Sequence, residues 1–478
     1  MDKVKLAEHV KRGDTFYTPF TDPNGIGATL SLSSWSKAWL PEFLWIGLII
    51  HKQGRKQGLK NLYSIIKELK ASDIAIPQFS QISNLEKSKQ ELFWDIVTRY
   101  VENDILAPIS VVITPDINEV FYNKFFDFMC NIDDSISELL NIVRECNGFH
   151  DELSTDICFI VDWFYIMADR LHISSELDML PTALTEYYNH FHDDKIMKMY
   201  RPMIRSTFQG LCNLDCSKVF SECFWKILGE ISECNPLNII WEKNESMDFF
   251  EMTTRTMEYF SVSNEDKKME TKYAVIMGMT CYISRLYREI VEKQMQNDIG
   301  GRILFRTMLE TYINLKYMIQ QEDEVPDIYE RFKAYGYGKY KLVMAKLREG
   351  KYSVPKDSQL DEKYMELLVN EDMNEAFIAM SIGFFDKTNI KGKFQKCNES
   401  EMYEIYYEYG TNYTHGFWGA IRESSMLICD NPAHTYHAIP DYLGEQNIRS
   451  VLSDCEMIMR KVFNTISPYV EMPDFYTD

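Results

Sequence analysis

Residues 403–422 read YEIYYEYGTNYTHGFWGAIR. Wound as one helix, this stretch places Glu404, Glu408, Thr411, His415, Gly419 and Arg422 at steps of three and four, on a single face. Most of its other residues are aromatic or aliphatic: Tyr403, Ile405, Tyr406, Tyr409, Phe417, Trp418 and Ile421. A stripe of titratable and small residues on so apolar a helix belongs either in solvent or in a polar seam shared with another helix. The seam is the expectation here, with its partner at Arg302–Asn314.

That partner carries Arg302, Arg306, Glu310 and Asn314, each four residues after the last, among Ile303, Leu304, Phe305, Met308, Leu309, Tyr312, Ile313 and Leu315. An Arg–Glu pair one turn apart holds its own geometry and presents a guanidinium at fixed height. Buried charges of this kind must be partnered, so the two stripes are expected to face one another.

Helical periodicity extends outward from these two stretches along nearly the whole chain. Leu62, Ile65, Ile66 and Leu69 share a face, as do Ile283, Leu286, Ile290 and Val291. The strand-like exception is ILAPISVVITP at 105–115, bounded by prolines and expected as loop or an isolated strand. The polar run SVSNEDKK at 261–268 marks the main boundary. The fold expected is all-α and in two parts, an N-terminal helical domain over 1–262 and a C-terminal antiparallel bundle over 263–478.

The 478 residues include 28 Phe and 29 Tyr, enough aromatic surface for large cores and an argument against disorder. Seventy-two acidic against 51 basic residues give a net charge of -21, which excludes a broad basic coat for nucleic acid. The 11 cysteines form no CxxC pair, consistent with free thiols in a reducing compartment. The N-terminus lacks a signal-peptide core, and the apolar run 43–50 is far short of the ~18 residues a bilayer needs. A soluble, cytoplasmic protein without membrane contact is the expectation.

Two segments together carry a family resemblance: FRTMLETYINLKYM at 305–318 and YEYGTNYTHG at 407–416. Over roughly 271–465 the chain resembles an uncharacterised bacterial family with an Arg-x-x-x-Glu helix and a later aromatic-small-x-x-His element. That family is similar to the HEPN superfamily of all-α, often dimeric proteins, many of which cut RNA in toxin–antitoxin and antiphage systems. The resemblance implies a HEPN-like bundle in the second half and a metal-independent RNA endonuclease of defence or toxin type, with RNA as substrate. It further implies a homodimer with its cleft across a two-fold axis, and a protein or phage-derived trigger.

In that reading His415 serves as base or acid and Arg306 steadies charge on the scissile phosphate. Glu310 orients Arg306, and Tyr413 stacks or hydrogen-bonds. Arg302, Arg422 and Asn412 contact substrate. HEPN nucleases carry Arg and His four to six residues apart in one motif, which the C-terminal half lacks. The spacing occurs only at Arg144–His150, RECNGFH, a match expected about once by chance.

From the residues alone, a buried Arg–Glu–His network that fixes helix register is the favoured reading; the resemblance turns the expectation to a nuclease. The alternative function is a non-catalytic sensor or scaffold whose C-terminal bundle dimerises and binds partners. No cofactor and no metal are expected. A di-iron bundle would need Glu-x-x-His on two helices, and that motif is absent. His434-x-x-His437 is a pair without an evident third ligand, and His190 and His192 flank Phe191 so as to point apart on a helix.

Overall fold

A computed structural model describes residues 5–18, 20–25, 34–173, 179–212, 216–241, 247–263, 270–351, 354–355, 357–380, 383–434 and 437–476. Helix accounts for 67% of the protein and strand for 3%, so the all-α class stands. The chain forms two compact units. The first comprises Met1–Asn235 with Cys429–His437, the second Pro236–Ile428 with Ala438–Asp478. Most of the polar run expected to mark the boundary, 264–268, lies outside the described residues.

The first unit is built on α1 (Leu40–Gln53), whose first turn carries Pro41, a residue suited to that position. From Leu40 to Ile50 every residue is buried, because α1 is surrounded by α2 (Arg55–Ala71), α3 (Ile132–Cys146), α4 (Glu152–Met167), α5 (Met197–Cys212) and α6 (Lys218–Ile231). Trp45 sits fully buried at its centre, edge-on to Phe93, Trp94 and Phe164 at ring distances of 5.8, 5.9 and 6.0 Å. Its indole N–H donates to the Pro77 carbonyl at 2.9 Å, so the polar atom of this large ring is satisfied. Glu42, also on α1 and fully buried, accepts from the Ser80 backbone N–H at 2.8 Å and hydroxyl at 2.6 Å.

Residues 105–115 are not a strand. They form the end of a short helix, Asn103–Leu106, and a 3-10 turn, Ala107–Val111. The alternation in ILAPISVV reflects burial on nearly all sides, which periodicity cannot distinguish from a strand.

The second unit packs α7 (Asp248–Ser263), α8 (Thr271–Glu292), α9 (Ile299–Gln321), α10 (Ile328–Arg348) and α14 (Leu452–Ile466) around one apolar core. Shorter elements lie between α10 and α14, among them α11 (Ile390–Lys396), α12 (Glu408–Thr414) and α13 (Trp418–Ser425). β3 (Pro236–Leu237), from before α7, joins β4 (Met426–Cys429) and β5 (Ala438–Pro440) in a three-stranded sheet. The β4–β5 pairing is antiparallel, with Leu427 opposite Ile439. A hairpin of β1 (Val10–Arg12) and β2 (Thr15–Tyr17) belongs to the first unit.

The stretch 403–422 is not one helix. Ser400–Met402 runs through a π-helical turn, Tyr403–Tyr407, into α12; Gly416 then takes φ +61° and the chain restarts as α13. A π turn advances the register by one residue and a left-handed glycine ends a helix. The single face drawn from 404 to 422 therefore does not exist.

Because Trp45 fills the centre of the first unit, Trp45→Ala should destabilise the protein by about 3–5 kcal/mol. Urea unfolding followed by far-ultraviolet circular dichroism checks this; an unchanged midpoint would contradict the assigned core.

Candidate functional site

The α9 stripe is buried as expected at its start. Arg302 and Arg306 are 3% and 7% exposed. Arg302 donates to the backbone carbonyls of Gln296, at 3.1 Å, and Arg449, and its guanidinium carbon lies 5.6 Å from the Tyr413 ring centre. Arg306 pairs with Glu310 at 3.1 Å and lies flat on Tyr407, 3.1 Å from the ring centre. Gly410 makes this stacking possible, since a Cβ there would sit 3.0 Å from Arg306 Cδ. The Tyr407 hydroxyl donates to Glu310 at 3.0 Å, and burial together with the Glu310 charge pushes its pKa up to about 12.

The facing stripe does not close this seam. Glu404, Glu408, His415 and Gly419 are exposed. What α12 turns toward α9 is aromatic and small instead: Tyr407, Gly410 and Tyr413 are all buried. The π turn and the Gly416 break rotate the titratable residues out to solvent. His415 stacks on Phe417 at 5.6 Å, and no hydrogen bond or ion pair joins it to Arg306.

The remaining nominated residues are engaged locally. Tyr413 donates to Glu423 at 2.6 Å, and burial followed by that bond holds its hydroxyl well above the ordinary tyrosine range. Arg422 donates to the Met426 carbonyl at 2.8 Å, and the Asn412 amide donates to the carbonyls of Glu408 and Tyr409. The structure thus joins Arg306 with Glu310, and Arg302 with Tyr413, but leaves His415 apart.

Glu310 and Asn314 also line a cavity of about 400 Å³ with Phe384, Asp386, Thr388 and Asn389. Asn314 accepts a 2.9 Å hydrogen bond from Lys393, a fully buried amine seated 3.9 Å from the Phe385 ring centre and 4.1 Å from Phe384. Burial pulls the Lys393 pKa down to about 8. In sequence Lys393 read as part of a basic connector, KTNIKGKFQK, where nothing local signals burial.

The first unit holds a second constellation that sequence reasoning missed. Arg55, at the start of α2, meets both carboxylate oxygens of Asp156 on α4 at 3.0 Å. Asp156 also accepts from Tyr187 at 2.8 Å and contacts His192 Nε2 at 3.1 Å, while His192 Nδ1 is buried without a hydrogen-bond partner. His51, Arg55, Glu145, Asp151, Glu152, Asp156 and His192 line a cavity of about 420 Å³. His190 and His192 do part, to Asp194 and Asp156 respectively. Arg55 and Asp156 are 101 positions apart, so no local spacing could announce the pair. Of the RECNGFH spacing, Arg144 pairs with Asp430 at 3.6 Å and His150 is exposed beside Phe149.

The histidine pair of the Pro-bearing loop gains the partners that sequence did not reveal. Cys234, Cys429, His434 and His437, all of the first unit, place one ligand atom each within 4.8 Å of one another.

Residues 273–434 match the model of a family of unknown function, DUF5677. Neither the curated proteins nor the solved structures contain a match to the chain.

Lys393 yields a pH test. In the unfolded chain its amine keeps a proton to about pH 10.5, in the fold only to about 8. Between those values the unfolded state binds more protons, so this group makes stability rise with pH. Relative to Lys393→Met, the wild-type urea midpoint should climb between about pH 7.5 and 9.5; parallel profiles would show that the amine is not buried.

Proposed function

We propose that the second unit is an association module, a non-catalytic helical scaffold that pairs with a second copy of the chain. The carrying observation is the division of labour between the two sides of α12. Arg302 and Arg306 are spent inward, on backbone carbonyls, Glu310 and Tyr407. Outward, Ile405, Tyr409, Phe417, Trp418 and Ile421 stand exposed, Trp418 by 66%. Tyr409 is tied through Glu423 at 2.8 Å to α13, the helix that carries Trp418 and Ile421. Exposed aromatics gathered in this way suit a protein interface better than solvent, and Glu401, Glu404 and Glu408 beside them oppose a polyanion. Two-fold pairing is also what the HEPN resemblance implies.

RNA cleavage in a defence or toxin role is the second reading. The Asp156–His192 pair beside Arg55 favours it, since a carboxylate-held imidazole and a guanidinium are what metal-free phosphodiester cleavage needs. Glu145, Asp151 and Glu152 around the same cavity weigh against a phosphate there.

Sedimentation velocity tests the first reading: the wild type should be dimeric and the Ile405→Ser, Trp418→Ser double variant monomeric with its helix content kept. A monomeric wild type at tens of micromolar would sink it. For the second, purified protein should degrade total RNA in EDTA. Loss of cleavage in His192→Ala would place the site in the first unit, and loss in His415→Ala would restore the α12 assignment. RNA left intact by the wild type dismisses cleavage.

A further inference from the structure

The loop after β4 and the segment after α6 meet in the first unit as two cysteines and two histidines. Cys429 Sγ lies 3.4 Å from His434 Nδ1, and Cys234 Sγ lies 3.6 Å from both His434 Nδ1 and His437 Nδ1. With zinc–sulfur bonds of about 2.3 Å and zinc–nitrogen bonds of about 2.0–2.1 Å, a tetrahedral sulfur–nitrogen edge is about 3.6 Å. Three of the ligand–ligand distances therefore already match edges of a zinc tetrahedron, and all four ligand atoms lie within 4.8 Å of one another. We propose that Cys234, Cys429, His434 and His437 form a four-coordinate structural zinc site that fastens Cys429–His437 to the end of α6.

The surroundings prepare the ligands. His434 Nε2 lies 2.9 Å from the Gly229 carbonyl, an acceptor only, so this nitrogen carries the hydrogen and Nδ1 is left with its lone pair toward the sulfurs. An outer hydrogen bond of that kind is the usual companion of a metal-bound histidine, because it fixes the tautomer and the ring plane.

The backbone on both sides is set independently of any ion. Asn431, 4% exposed, donates to the Ser232 hydroxyl at 2.9 Å and the Glu233 carbonyl at 2.7 Å, and accepts from the Ala433 N–H at 2.9 Å. The Asp430 N–H donates to the Asn235 carbonyl at 2.7 Å. These bonds bracket Cys234 and hold the residues that follow Cys429, while the β4–β5 pairing holds those before it, so both thiols are placed before binding.

The donor set selects the metal and its role. Two thiolates with two neutral imidazoles suit zinc above magnesium or calcium, which prefer oxygen. Four protein ligands fill the tetrahedron and leave no open position for substrate or water, so the site is structural. On binding, each thiol gives up its proton to solvent, the two sulfurs become thiolates, and no electron is exchanged.

The full chain, purified without chelator from zinc-supplemented cells, should carry about one zinc per chain by elemental analysis. Cobalt(II) in its place should show sulfur-to-metal charge transfer and the visible bands of a tetrahedral ion. Cys234→Ser and His437→Ala should each lose most of the zinc, whereas His437→Cys, which keeps four ligands, should retain it. A chelator should lower the melting temperature of the wild type but not of Cys234→Ser. The proposal is overturned by a reduced wild-type chain that takes up neither metal, or by peptide mapping that finds Cys234 and Cys429 joined as a disulfide.

Discussion

A guanidinium loses far too much hydration on burial to be left without acceptors, and this constraint organises the second unit. Arg302 and Arg306 enter the core side of α9 because the surrounding leucines, methionines and aromatics carry that face inward. Once inside, each dictates what stands next to it. Arg302 claims two carbonyls, which pins the chain at Gln296 and Arg449 against α9. Arg306 needs a flat surface and a carboxylate, which are Tyr407 and Glu310, and it needs the missing side chain at Gly410 to reach them. Further along α9, beside Tyr312 and Lys316, Glu399 from the segment before α12 does the same with opposite sign: burial raises its pKa, but hydrogen bonds from Lys316, Lys461 and Tyr312 bring it below the ordinary range. The position of α12 follows from these bonds more than from apolar contact, because the ends of its pairing with α9 are charged and directional.

This explains which parts of the architecture could be read from the sequence. The helices at 271–292, 299–321 and 328–348 repeat their apolar residues every three or four positions, and Pro326 separates the last two; Gly300 and Gly301 fall in the first turn of α9 rather than between helices. Arg302, Arg306 and Glu310 were visible for the same reason, as polar positions on a stripe that is otherwise buried. The orientation of 403–422 was not visible. A π turn has no periodic signature, and Gly416 within an aromatic run does not declare that it will take a left-handed conformation. One extra residue per turn was enough to exchange the titratable face for the aromatic one.

Long-range constellations fail to show for a different reason. Arg55 and Asp156 meet across 101 positions, and Cys234 and His434 across 200. Each residue has an unremarked local context: Arg55 follows a glycine turn, Asp156 sits in an apolar helix, and Cys234 lies in the short link before Pro236. Only tertiary packing decides that a lone aspartate receives an arginine, a tyrosine and a histidine at once. Sequence spacing detects ligand sets that share a helix or a loop; here Cys429, His434 and His437 share one, and Cys234 comes from far away.

The separation of those residues also bears on energetics. A crosslink constrains the unfolded chain through the loop it closes, and the entropy removed grows with the logarithm of loop length. An ion bridging Cys234 to His434 would close a loop of 200 positions, while His434 to His437 closes only three. The local pair therefore contributes coordination, and the distant cysteine contributes the constraint. Losing His437 removes one bond from the set, but losing Cys234 also releases the loop, so the two ligands are unequal in stability even if equal in distance to the ion. The Asn431 and Asp430 hydrogen bonds already seat the segment against residues 232–235, so coordination would add its crosslink to a geometry the chain has set for itself.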